Sequence, residues 1–168
     1  MRRFAEGDIS AFEELYRRYE RPVYNFCWRL LGDSDRAHDA FQDAFMRVVE
    51  ARARYGSRGR FRSWLFSIVR HACIDQARDA RRSVPDHAVE APTGLAGIEG
   101  RVAARDELDR VLALLPQEQR EVLLLSHYHG FSYREIAELT GGTEAGVKQK
   151  AYRALKTLRA ARPAGEGG

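Results

Sequence analysis

Apolar residues recur three and four positions apart along almost the whole chain, the spacing of α-helices that each bury one face. Phe12, Leu15, Tyr16 and Tyr19 open the series, and Ser10 with Glu13 forms the S-x-x-E pattern of a capping box at its start. Pro22 restarts the chain, and Val23, Phe26, Cys27 and Leu30 build a second face that Gly32 closes. A third, longer helix follows from Ala37, Ala40, Phe41, Ala44, Phe45 and Val48. Phe61, Trp64, Leu65, Ile68 and Ala72 give a fourth stripe. That stripe places Trp64 in the core and leaves Arg62, Phe66, Arg70 and His71 outside it.

The pattern is most explicit in residues 132–162, SYREIAELTGGTEAGVKQKAYRALKTLRAAR. Ser132 and Glu135 form a second capping box, and Ile136, Ala137 and Leu139 supply an apolar side. Gly141 and Gly142 end that helix, because glycine accepts a left-handed backbone. Thr143 caps the next, with Glu144 placed favourably in its first turn. There Val147, Ala151, Ala154, Leu155 and Leu158 share a face, while Gln149, Tyr152, Arg153 and Lys156 fall opposite, flanked by Lys148 and Lys150. Helix, glycine turn and longer basic helix is the grammar of a helix-turn-helix. No stretch alternates as a strand would. Residues 83–100 break the helical period with two prolines, three glycines and no basic residue, which is linker composition. The expected fold is all-α: two small helical domains, 1–83 and 99–162, joined by a flexible linker at 84–98, the second ending in the helix-turn-helix.

The chain has 168 residues, 44% of them hydrophobic, enough for two small cores. A net charge of +4 permits a polyanionic partner without requiring one. The distribution is more informative than the total. Residues 143–162 carry six Lys/Arg against one acid, whereas 99–142 carry five against eight. Positive charge is thus gathered on the helix that would enter a major groove, with Lys148, Gln149, Lys150, Tyr152, Arg153 and Lys156 as candidate contacts. A solvated basic helix that binds nothing is the competing reading.

Between 51 and 74 there are six arginines (52, 54, 58, 60, 62 and 70), no acid, and Tyr55, Phe61, Trp64 and Phe66. Arginines interleaved with aromatic rings suit unstacked nucleic acid, since charge follows phosphates and rings stack on bases. Arg58, Arg60, Arg62, Phe66, Arg70 and His71 are the candidates, against an amphipathic helix with an arginine-rich solvent face. The third helix shows an outer face of Asp35, Asp39, Gln42 and Asp43, then Arg47: either a solvated face or a docking face for a basic protein.

Cys27 and Cys73 fall within helical apolar patterns and read as core thiols, which suits a reducing cytoplasm. No apolar run approaches the roughly 18 residues of a membrane helix, and the first ten residues lack the apolar core of a signal peptide. Nothing resembles a Ser/His/Asp set, a phosphate-binding glycine loop or a metal cluster, so no enzyme activity, cofactor or metal is expected. His71 and Cys73, at the nearest approach to ligand spacing, read as a ring and a packed thiol. His127 and His129 lie by a helix end, where they favour its dipole.

Four segments in order resemble the extracytoplasmic-function (ECF) group of bacterial RNA polymerase sigma factors. D-A-F-Q-D-A-F at 39–45 is similar to the group's polymerase-binding helix, and F-R-S-W-L-F-S-I-V-R at 61–70 to its promoter-melting helix. L-P-Q-E-Q-R-E-V-L-L-L at 115–125 and F-S-Y-R-E-I-A-E-L-T-G at 131–141 resemble its second domain. The resemblance implies that Asp39, Gln42 and Asp43 dock on core RNA polymerase. It implies that the arginine/aromatic helix receives the non-template strand of the minus-ten element, and that the helix from 143 reads the minus-thirty-five element of promoter DNA. An anti-sigma partner is a further implication. Two departures stand out: His71 replaces an asparagine that many members carry seven residues after the tryptophan, and T-E-A-G-V-K replaces S-x-G-T-V-K, leaving Gly146 inside the first helical turns. A stand-alone helix-turn-helix regulator explains 99–162 but not 58–71. An adaptor that binds polymerase without reading DNA is a third reading, one in which the basic face of 143–162 has no role.

Overall fold

The computed structural model describes residues 1–55, 60–83 and 101–161; the expected linker at 84–98, Arg58 and Arg162 lie outside them. Every regular element among the described residues is helical, and the chain divides into two compact units, Met1–Pro92 and Thr93–Gly168. No described helix is long and apolar enough to cross a membrane.

The first unit comprises α1 (Arg2–Ala5), α2 (Ile9–Leu31), α3 (Ser34–Glu50), a short turn at Arg52–Arg54 and α4 (Phe61–Ser83). Two expectations for α2 fail. Asp8, not Ser10, is the N-cap, its Oδ1 accepting from the backbone N–H groups of Ser10 at 3.0 Å and Ala11 at 3.3 Å. The helix also runs straight through Pro22. An interior proline costs about 3 kcal/mol. It is tolerated because Ala11, Val23, Phe26, Cys27 and Leu30 are buried on both sides of it, and because Arg18, whose carbonyl loses its donor, is exposed to solvent. The helix stops at Gly32, in the left-handed region at φ 68°.

Helix α3 starts at the cap Asp33, which accepts from the Arg36 N–H at 2.9 Å, and buries Ala37, Ala40, Ala44, Phe45 and Val48, with Phe41 half-buried. The small alanines let α3 lie close to both α2 and α4, the two helices it packs against. Between α2 and α4, Phe26 meets Phe66 edge-on at 5.5 Å. Cys27 and Cys73 are buried free thiols.

The second unit comprises α5 (Arg101–Ala113), α6 (Gln117–Leu123, widening into one π turn at Leu124–Tyr128), α7 (Tyr133–Thr140) and α8 (Glu144–Ala161). Leu112, Leu115, Val122, Leu123, Leu124, Leu125, Phe131, Ile136, Val147, Ala151 and Ala154 form its core. Arg120, inside the 115–125 motif, has a defined task. Its guanidinium donates to the carbonyls of Leu112 at 2.9 Å, Ala113 at 3.1 Å and Leu115 at 3.1 Å. The last carbonyls of a helix have no intrahelical donor, so α6 reaches back to close α5.

Candidate nucleic-acid interface

The turn between α7 and α8 is built from its capping residues. Ser132 Oγ accepts from the Glu135 N–H at 3.2 Å while Glu135 Oε2 accepts from the Ser132 N–H at 2.8 Å, the reciprocal box expected from the spacing. Gly141 adopts φ 68°, and the Gly142 N–H returns to the Ala137 carbonyl at 2.9 Å. Thr143 Oγ1 then accepts from the Gly146 N–H at 3.1 Å. A Cβ on residue 146 would sit 3.2 Å from that same hydroxyl. The glycine that cost helix propensity therefore leaves room for the cap.

This turn sets α8 with Val147, Ala151 and Ala154 buried and Lys148, Gln149, Tyr152, Arg153 and Lys156 exposed, Tyr152 at 67%. The opposite-face reading of 143–162 is what the structure shows. Two of its cations are engaged within the unit: Lys148 with Glu144 at 2.8 Å, and half-buried Lys150 with Glu118 of α6 at 2.7 Å. Exposed pairs of this kind contribute only about 0–1 kcal/mol, so they exchange readily for phosphate. His127 and His129 flank the end of the π turn, before Gly130 at φ 62°.

Helix α4 departs from the expected stripe. Its buried face is Leu65, Phe66, Val69, Ala72 and Cys73, rotated by roughly 80° from Phe61, Trp64, Leu65, Ile68 and Ala72 at about 100° per residue. Phe66 is 1% exposed and packs on Phe26, so it offers no ring to a base. Trp64, expected in the core, is half-buried instead, in a cluster with Tyr55 at 4.9 Å and Phe61 at 5.9 Å. Tyr19 joins through Phe61 at 5.4 Å. The reason is that α4 packs against both α2 and α3. Two neighbours together select which face is inside, and a wheel drawn for one stripe does not contain them.

His71, exposed and two turns beyond Trp64, lies on the same side of α4. Its Nδ1 is 2.7 Å from the Ser67 carbonyl. A carbonyl can only accept, so Nδ1 is the donor in this bond. Arg60 is exposed and Arg62 and Arg70 are half-buried, and all three already make interactions within the chain. Trp64 and His71 thus share one side of α4, with exposed Arg60 just before its first residue, and Phe66 lies apart from them.

On α3, Asp39 and Gln42 are exposed, and Gln42 Nε2 bonds His38 Nε2 at 2.9 Å. Asp43 is half-exposed and committed to Arg47, which reaches its two oxygens at 3.0 Å and 2.7 Å. The same guanidinium donates to Asp75 of α4 at 2.7 Å. Asp75, with Asp43, holds the Arg47 guanidinium above its ordinary pKa. One residue of this face was missed by the pattern: Met46, 60% exposed. It lies one turn from Gln42 and two from Asp39, and a large apolar residue on a polar helix face was the available signal.

Residues 15–83 match the family model described as Sigma-70 region 2, and residues 105–158 that described as Sigma-70, region 4. The chain is similar to the RNA polymerase sigma factor CarQ of Myxococcus xanthus, 32% identical over 95% of this chain and 93% of that protein. It is similar to the ECF RNA polymerase sigma factor SigL of Mycobacterium tuberculosis, 31% identical over 92% of this chain and 90% of that one. Its fold is similar to the sigma factor RpoE of Bartonella quintana, solved with the anti-sigma factor NepR, at TM-score 0.70 and 22% identity over 89% of this chain and 95% of that one. CnrH, solved with the cytosolic domain of CnrY, aligns at TM-score 0.68 and 26% identity over 93% of this chain and 90% of that one.

Proposed function

Because the chain belongs to the extracytoplasmic-function RNA polymerase sigma factors, we propose that its first unit binds core polymerase and opens the minus-ten element while its second reads the minus-thirty-five element. The stand-alone regulator is not favoured. The protein works where the polymerase is, in the cytoplasm, and without chemical catalysis of its own. The observation that carries the reading is the exposed face of α8, with Gln149, Tyr152, Arg153 and Lys156 opposite a buried Val147–Ala151–Ala154 side and held by a capped glycine turn. Such a face fits a major groove, where arginine pairs with guanine and lysine with phosphate or guanine.

In the first unit, Arg60, Trp64 and His71 receive the opened strand, and Asp39, Gln42 and Met46 face the polymerase. Asp43 serves that face indirectly by fixing Arg47. The anti-sigma partner is a protein domain that competes for these surfaces; the fold neighbour RpoE was solved in complex with an anti-sigma factor, NepR.

Run-off transcription with core polymerase on single-base variants of an upstream element tests the reading. Arg153→Ala should cost about 1–3 kcal/mol on the best promoter and relax preference at one position. A uniform loss with a salt slope reduced by about one would make Arg153 a phosphate contact instead. Unchanged transcription from every variant would remove α8 from the promoter altogether.

Asp39→Arg should weaken competition for core polymerase by at least about tenfold, since a like charge set against a basic surface costs several kcal/mol. Helix content should stay constant, because Asp39 is exposed and off the apolar stripe. Wild-type competition by this variant would show that α3 docks elsewhere. Asp43 is the poorer choice for this test, as an arginine there would face Arg47.

A further inference from the structure

Glu144 is the first residue of α8 and is exposed, yet it does not cap the helix. Thr143 supplies the capping acceptor. The Glu144 carboxylate turns instead along the outer face to Lys148, whose ammonium lies 2.8 Å from Oε1. Lys148, and Arg134 of α7 at longer range, hold the Glu144 carboxyl below its usual pKa, so it is ionised. Both partners are exposed, with side chains 48% and 60% accessible. An acid here is costly for a helix that approaches polyphosphate, unless it meets a hydrogen-bond donor.

The donors on major-groove base edges are few. Cytosine presents its N4 amino group, and adenine an N6 amino group beside the N7 acceptor; guanine and thymine present acceptors. A carboxylate is acceptor-only, so N7 and O6 repel it while cytosine N4 satisfies it. In helix-turn-helix docking the N-terminal residues of the second helix are those that reach base edges. Lys148 has three donors, of which Glu144 uses one. The others remain for an adjoining guanine or phosphate, and its charge offsets the carboxylate as it nears the backbone.

From this placement we propose that Glu144, steadied by Lys148, is a specificity residue that selects cytosine at one position of the upstream element. The proposal rests on α8 being the upstream reader. Its consequence is that Glu144 trades overall affinity for discrimination.

The test uses the full chain with core polymerase and a promoter library randomised across the upstream element, comparing wild type, Glu144→Ala, Glu144→Gln and Arg153→Ala. Wild type should favour cytosine in one column by about fivefold to a hundredfold. Glu144→Ala should flatten that column alone, lowering transcription from its cytosine promoters and raising it from the others. Glu144→Gln keeps an acceptor and adds a donor, so it should broaden the column rather than erase it. A uniform rise in every column, with a changed salt slope, would make Glu144 a mere charge and overturn the proposal. So would unchanged columns. If Arg153→Ala still alters its own column, that loss falls on Glu144 alone; if neither variant alters any column, the placement of α8 on DNA fails with it.

Discussion

Phe66→Ala should destabilise the first unit by about 3–5 kcal/mol, the cost of emptying a buried aromatic site. Phe66 is 1% exposed, and its ring meets Phe26 edge-on at 5.5 Å, a pairing worth about 0.5–1.5 kcal/mol beyond the area it buries. Both tryptophans of the chain, Trp28 and Trp64, lie in this unit, so their fluorescence during urea unfolding reports it selectively. The midpoint should fall sharply while circular dichroism retains a separate transition from the second unit. Phe66→Leu, which keeps most of the volume, should lose much less. On transcription, Phe66→Ala should impair a duplex promoter and one pre-opened by mismatches alike, because the fold itself is damaged. His71→Ala behaves oppositely: the ring is exposed, so stability should hold, and the defect should shrink on the pre-opened promoter. An unaltered unfolding midpoint for Phe66→Ala would place that ring outside the core.

Arg120→Ala should cost the second unit about 2–4 kcal/mol. Hydrogen bonds from a charged donor contribute roughly 1.5–3 kcal/mol each in favourable cases, and they are not additive. Arg120 bonds the carbonyls of Leu112, Ala113 and Leu115 in this way. Burial lowers the pKa of its guanidinium, yet arginine stays charged in proteins, so the contribution is insensitive to pH over the range the protein meets. Removing it leaves the carbonyls of Ala113 and Leu115 without this donor, leaves Leu112 only the backbone N–H of Leu115, and frees α5 from α6, both of which pack on α8. Far-ultraviolet circular dichroism should show early melting of part of the helix content while tryptophan fluorescence stays at the wild-type midpoint. Upstream-element binding should fall although Arg120 touches no base, and Arg120→Lys should recover little, since one ammonium cannot span three carbonyls. A melting curve that matches wild type would mean that the turn at 114–116 holds without this staple.

Local order was open to reading from residue types. The capping box of α7, the left-handed Gly141, the Thr143 cap and the buried Val147–Ala151–Ala154 side depend on neighbours within one or two turns, and the spacing alone implies them. The stripe of α3 was equally clear. Its alanines and aromatics leave only one way to bury a face, and Asp39 and Gln42 followed onto the outside.

What the spacing did not contain was competition, within one helix and between partners distant in the chain. Pro22 reads as a break, but one buried side running from Ala11 to Leu30 outweighs a missing hydrogen bond on the solvent side. Ser10 reads as a cap, but Asp8 is an equally good acceptor two residues earlier and takes the N–H groups first. Phe66 and Trp64 exchanged roles because α4 is held between two helices, and their combined surface decides the inside face. Asp43 became part of an Arg47–Asp75 bridge for the same reason: Asp75 lies on another helix. The start of α7, the stops at Gly32 and Gly141 and the single-neighbour face of α8 were therefore determined by the sequence itself. The inside face of α4, and with it the choice of rings left for an opened strand, was decided only when three helices packed together, because burial is shared among elements that no local window sees at once.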